Sequence, residues 1–194
     1  MSGNRRERVL RAGAIIGIPV LVGVLTFGAL ALFADDGRLR GGADDLAVGA
    51  AAEPVAVSPE DAPKVSGEDP ITGEDVALDD FRGKPVVINI WASWCPGCNE
   101  EAADLRDFAA DHPEAVLLGV DFQDTFSGAR EFYERWGWKH PSIFDSSGTQ
   151  TAALGLFGLP TTLFLDEQHR IAARVVGATN RAGFERGLEL ATSS

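Results

Sequence analysis

The sequence is poor in cysteine, histidine and basic side chains, and each scarcity closes off a class of function. Two thiols, Cys95 and Cys98, cannot build a scaffold stapled by several disulfides. With only His112, His140 and His169 scattered along the chain, they do not spell a structural zinc site either, and no metal or other cofactor is expected. Lys and Arg number 17 against 29 Asp and Glu. Four of the bases, Arg5, Arg6, Arg8 and Arg11, crowd the N-terminus beside one acid, Glu7, so the remainder holds 13 bases against 28 acids, a formal charge of −15. Such a body repels phosphate backbones, which argues against nucleic acid as a partner. There is no internal repeat. What is present, 194 residues of which 45% are hydrophobic and 24% charged, with 22 Gly and 10 Pro, fits one ordinary globular domain plus an extra segment at an end. A disordered or collagenous chain is excluded, and redox chemistry is the obvious use of a C-x-x-C pair.

From Ala12 to Phe33 no residue is charged. Twenty-two residues rising about 1.5 Å each span roughly 33 Å, enough to cross the hydrocarbon core as a helix, with Pro19 a tolerable kink. The four arginines precede this run and Asp35 and Asp36 follow it, so the positive-inside rule keeps the N-terminus in the cytoplasm and sends the rest outside. The alternative is a cleaved signal peptide, for which Ala29-Leu30-Ala31 offers an A-x-A site. The length of the uncharged run exceeds the usual h-region and favours an anchor. Arg5-Arg6 is a poor twin-arginine signal, because Arg8 stands where an apolar residue belongs. By either route the domain reaches an oxidising compartment. Residues 34–63, rich in Asp, Gly, Ala and Pro without apolar periodicity, read as a flexible acidic tether, leaving 64–194 as the folded domain.

In that domain strands and helices alternate. Val76-Ala77-Leu78 reads as a short strand, and Pro85 to Trp91 as a buried one from its β-branched run. A helix is expected from Pro96 to about Asp111, a strand over 116–120, a helix over 127–136, a short strand over 142–144 and a helical turn or two over 150–156. Strands 161–165 and 171–176 flank a hairpin turn at 166–169, and a helix over 180–191 ends the chain. This order implies an α/β sandwich around a mixed sheet.

Cys95 falls where a strand hands over to a helix, with Pro96 at the first helical position, where a missing N–H costs nothing. Free N–H groups and the positive end of the helix macrodipole favour an anion there and lower the thiol pKa. Cys95 is therefore the expected exposed nucleophile and Cys98, one turn on, the buried resolving thiol. A purely stabilising disulfide is the alternative, but so short a loop gains little from closure. On the same helix Glu101 lies about 60° from Cys98, inside the apolar stripe of Ala102, Leu105, Phe108 and Ala109, whereas Glu100 points to solvent. A carboxyl on that stripe should have a raised pKa and can move protons during exchange. Trp91 reads as core, Trp94 as paving for an apolar docking surface, and Trp136 and Trp138 as packing. Asp145, Asp166 and the other acids read as solvated faces or turns, and His140 and His169 receive no role.

Trp91-Ala92-Ser93-Trp94-Cys95-Pro96-Gly97-Cys98, followed by Gly158-Leu159-Pro160-Thr161-Thr162, resembles the thioredoxin-like fold and, within it, the membrane-anchored TlpA/ResA/CcmG group of thiol-disulfide oxidoreductases. The similarity runs from about residue 60 to the C-terminus. It implies a cis bond at Leu159-Pro160, a loop abutting the cysteines, and backbone hydrogen bonds from Leu159 to a bound polypeptide. Trp94, Pro96, Gly97, Leu159 and Pro160 would then line the substrate site, with Cys95, Cys98 and Glu101 catalytic. Thioredoxin has a buried Asp six residues before its first cysteine; here that residue is Asn89, and Glu101 looks like its replacement. The implied partners are protein substrates carrying thiols or disulfides and a membrane electron donor. The implied role is a reductant, as in cytochrome c maturation. A general oxidase of secreted proteins is the alternative. Weaker still is a copper-binding chaperone, whose relatives pair a C-x-x-x-C one residue longer with a distant His.

Overall fold

The computed structural model describes residues 51–193. The expected membrane span, residues 12–33, and the first part of the tether lie outside them. Among the described residues no helix is long and apolar enough to cross a membrane.

A six-stranded mixed sheet forms the centre, in the order β1-β8-β7-β4-β5-β6. Strands β4 (Val86–Trp91), β5 (Val116–Phe122) and β6 (Ser142–Asp145) run parallel, while β7 (Thr161–Leu165), β8 (Arg170–Val176) and β1 (Val55–Asp61) complete it by antiparallel pairing. A small hairpin of β2 (Ser66–Glu68) and β3 (Asp75–Ala77) precedes a 3₁₀ turn at Leu78–Phe81. Leu78, expected as strand, thus begins that turn. The helices are α1 (Pro96–Asp111), α2 (Phe126–Trp136), α3 (Thr149–Ala153) and α4 (Arg181–Thr192).

Residues 55–61, expected within the tether, are a strand. Val55 and Ala56 pair with Arg174 and Ala173, and Glu60 and Asp61 with Ile171 and Arg170, across an irregularity between the two pairs. As an edge strand with only Val57 half-buried, it draws its stability from the β8 ladder and needs no apolar alternation of its own.

The alternation of β4 organises the two faces. Val86, Ile88 and Ile90 join Leu118, Val120, Leu163 and Leu165 in one apolar layer. Val87 and Trp91 face the other way, into the layer closed by Leu105 and Phe108 of α1, Phe132 of α2 and Phe184 of α4. Trp91 is fully buried, its ring 4.7 Å from Phe132 and 5.2 Å from Trp138. Asn89, between Val87 and Trp91, shares their face, so a polar side chain points at α1 from the middle of a buried strand.

Candidate active site

The end of β4 runs directly into α1, and Cys95 is the N-cap of that helix. Pro96 opens it, and the Cys95 sulfur accepts the Cys98 N–H at 3.1 Å. One sulfur thereby satisfies a helix-end donor that would otherwise be free. Cys95 and Cys98 are joined as a disulfide. Both are buried, with 2% and 1% of their surface exposed, so in this oxidised form the expected contrast between an exposed and a buried thiol is absent. The bond ties Cys95 to the helix, and Trp94 and residues 156–159 stand around it.

The residues expected at the substrate site do come together. The Leu159–Pro160 peptide is cis. Pro160 is buried, and a Cβ placed on Gly97 would lie 3.0 Å from its Cδ, so glycine lets helix and loop touch. Trp94, Cys95, Pro96, Phe122, Leu156, Phe157 and Leu159 line one cleft of about 430 Å³. Trp94 and Phe157 are 56% and 73% exposed, an unusual cost for large apolar side chains unless something covers them in use.

Beneath the cysteines Glu101 is buried while Glu100 is exposed, as their helical phases require. Glu101 Oε1 accepts the Asn89 amide at 2.9 Å and Oε2 the Thr179 backbone N–H at 3.0 Å. Burial pushes its pKa up and the two donors hold it back, leaving it at about 7.

Several residues that brace the site carry no signal in the sequence. Asn99 donates to the carbonyls of Ser93 and Cys95 at 3.2 and 2.9 Å. Asp124, in the loop before α2, accepts the Ser93 N–H at 2.5 Å and its hydroxyl at 2.9 Å. Neither partnership has a fixed spacing that could announce it. Asp145 and Asp166, expected on solvated faces or in turns, are both buried because each serves local backbone: Asp145 accepts the Thr151 N–H at 2.8 Å, and Asp166, in the expected hairpin turn, those of Gln168 and Arg170 at 3.0 and 2.8 Å.

Residues 59–174, more than half of the chain, match the AhpC/TSA family. The chain belongs to this thioredoxin-like family. It is 31% identical over 103 residues to the thiol:disulfide interchange protein DsbE of Pseudomonas aeruginosa, covering 53% of this chain and 56% of that one. It thus spans little more than half the length of that relative. It is 24% identical over 124 residues to the thiol-disulfide oxidoreductase ResA of Bacillus thuringiensis, covering 63% and 72%. A secreted thiol-disulfide isomerase from Corynebacterium glutamicum superposes with a TM-score of 0.63 at 28% identity, over 72% of this chain and 90% of that one. All three are named for thiol-disulfide chemistry.

Proposed function

We propose that this protein is an extracytoplasmic thiol-disulfide oxidoreductase, tethered by residues 12–33, that reduces disulfides in protein substrates. The observation that carries the reading is the Cys95–Cys98 disulfide at a helix N-terminus, beside the Pro160 loop and above the buried Glu101 carboxyl. In the reduced protein the Cys95 thiolate attacks one sulfur of a substrate disulfide. A mixed disulfide forms and the other substrate sulfur leaves as thiolate, taking a proton. Cys98, deprotonated with Glu101 as the nearby base, then attacks the Cys95 sulfur. The second substrate thiol is released and the Cys95–Cys98 bond reforms. Two electrons pass to the substrate, and a membrane dithiol donor restores the reduced pair by the reverse exchange. Trp94, Pro96, Gly97, Leu159 and Pro160 bind the polypeptide around the scissile bond. Haem-handling proteins of cytochrome c maturation are the expected substrates.

The test is trapping in cells with Cys98→Ser, which leaves Cys95 unable to resolve a mixed disulfide, together with the redox state of the native protein. Apocytochrome or a related haem-handling protein recovered from a mostly reduced pool is the expected result. A mostly oxidised pool with many secreted proteins trapped through Cys95 would make the protein a general oxidase instead. Protease added to spheroplasts should release the domain; protection there, with digestion in inverted vesicles, would overturn the topology.

A further inference from the structure

Asp121 of β5 stands beside Trp91 of β4 in the parallel register, and it is fully buried. Among the described residues no N–H or O–H donor reaches either of its carboxyl oxygens. The groups facing it are the carboxyls of Asp124, within hydrogen-bonding reach from the loop before α2, and of Asp145 at the end of β6, with the Tyr133 phenol of α2 nearby. A carboxylate ion buried without a donor and against two further acids is the costliest state open to such a group. As a neutral acid it carries a donor of its own and needs only an acceptor.

Asp124 stands within reach as such an acceptor, and what it holds in turn is the approach to Cys95. Its oxygens take the N–H and hydroxyl of Ser93 and, at 2.7 Å, the N–H of Thr125. Ser93 lies two residues before the first cysteine. The backbone of α2 closes over this arrangement: a Cβ on Gly128 would come within 2.6 Å of Ser93 Oγ and 2.7 Å of Asp124 Oδ1. Asp124 is thus confined and held by three donors, with Asp121 within hydrogen-bonding reach as a candidate fourth.

We propose that Asp121 is a positioning residue that stays protonated at neutral pH and donates to Asp124, fixing Asp124 as the acceptor for Ser93 and thereby the Trp94-Cys95 turn. The effect on exchange rests on the oxidoreductase reading; the proton itself does not. Burial, then the charge of Asp124 and its carboxyl hydrogen bond, then the charge of Asp145, push the Asp121 pKa up to about 9. An unfolded aspartate titrates at about 3.9, so between these values the folded protein holds the extra proton. The stability due to it is complete below that unfolded value and is lost as pH rises toward 9.

The experiment compares full-length wild type, Asp121→Asn and Asp121→Leu in detergent. Urea unfolding is followed across this pH range, and the rate of Cys95–Cys98 reduction by dithiothreitol is measured alongside. An asparagine amide donates to Asp124 in place of the acid proton and does not titrate. Asp121→Asn should therefore differ least from wild type at about pH 4, outlast it increasingly toward pH 9, and keep its reduction rate at neutral pH. Asp121→Leu, with no donor, should be reduced at a severalfold different rate. Parallel stability curves for wild type and Asp121→Asn would overturn the proposal, as would an unaltered reduction rate in Asp121→Leu. If the leucine variant does not fold, the asparagine comparison decides. A wild-type protein that exchanges with no protein disulfide would count against the oxidoreductase reading while leaving the stability curves to report on Asp121.

Discussion

The Asn89 amide, on a strand that is otherwise apolar, donates 2.9 Å to Glu101 Oε1, and the Thr179 N–H donates 3.0 Å to Oε2, so each oxygen of the buried carboxyl receives one donor. Asn89 is anchored in turn by a 3.0 Å bond from the same Nδ2 to Thr162 Oγ1 on β7. Two donors to a carboxylate in water would hold its pKa low; here desolvation outweighs them and the group rests at about 7. A carboxyl poised there exchanges protons with a thiol at little cost in either direction. Asn89 cannot shuttle a proton, but its amide fixes one oxygen of Glu101 and favours the ionised form of that carboxyl.

Glu101→Gln should fold, since the amide is nearly isosteric. It should slow thiol-disulfide exchange and flatten the pH–rate profile through neutrality. The sign for stability follows from the raised value. The folded protein holds a proton that the unfolded chain has released between the ordinary glutamate range and about 7, so wild type loses stability as pH rises across that window. The glutamine variant should lack that loss. Stopped-flow reduction and urea melts from pH 4 to 8 check both, and an unchanged profile returns Glu101 to a packing role.

Asn89→Ala removes a donor that favours the ionised form, so the midpoint attributed to Glu101 should move to higher pH. The diagnostic is an alkaline displacement of the pH–rate curve relative to wild type. A general slowing at every pH with no displacement would mean that Asn89 acts only through packing.

Trp94→Ser and Phe157→Ser strip exposed apolar surface from the cleft beside Cys95. Removing part of a contact surface raises KM for a polypeptide disulfide while leaving reaction with a small dithiol close to wild type. Insulin reduction against dithiothreitol exchange separates the two. Equal losses with both would place these rings in the chemistry rather than in docking.

How far the sequence could be read depended on whether a residue's environment is local. Helix α1 was legible because Pro96 marks its start and the stripe of Ala102, Leu105 and Phe108 gives its phase, and Glu101 was legible because it interrupts that stripe. Strand β1 was not, because Val55–Asp61 includes Pro59 and an almost wholly exposed face; its only evidence is the ladder to β8, more than a hundred residues away. Asp121 was hidden in the opposite manner. An acid near the end of Val116–Phe122 reads as a strand reaching solvent, yet in the fold it is buried beside Trp91 of β4, with Asp124, Asp145 and Tyr133 around it. The support that Asp124 gives Ser93 is likewise non-local, joining residues 31 apart in the chain.

The direction of electron flow is the prediction with the widest consequence. Pro96-Gly97 between the cysteines lacks the histidine that stabilises the thiolate in strongly oxidising members of the fold. Without that stabilisation the dithiol is the less favoured form and the disulfide is harder to reduce. The potential should therefore lie nearer thioredoxin's, about −270 mV, than the about −120 mV of a strong oxidant such as DsbA. Opposing this are the helix dipole and the Cys98 N–H on the Cys95 sulfur, which favour thiolate and raise the potential. A dipole and one N–H act on every C-x-x-C at a helix N-terminus, thioredoxin included, so they set the common baseline rather than the difference. Glu101 pulls the other way, since a carboxyl that ionises through neutrality disfavours a second negative charge on the sulfur beside it. Equilibration of the full-length protein with thiol–disulfide buffers, scored by alkylation of Cys95 and Cys98, gives the potential directly. A value close to that of the strong oxidant would reverse the assignment from reductant to oxidase.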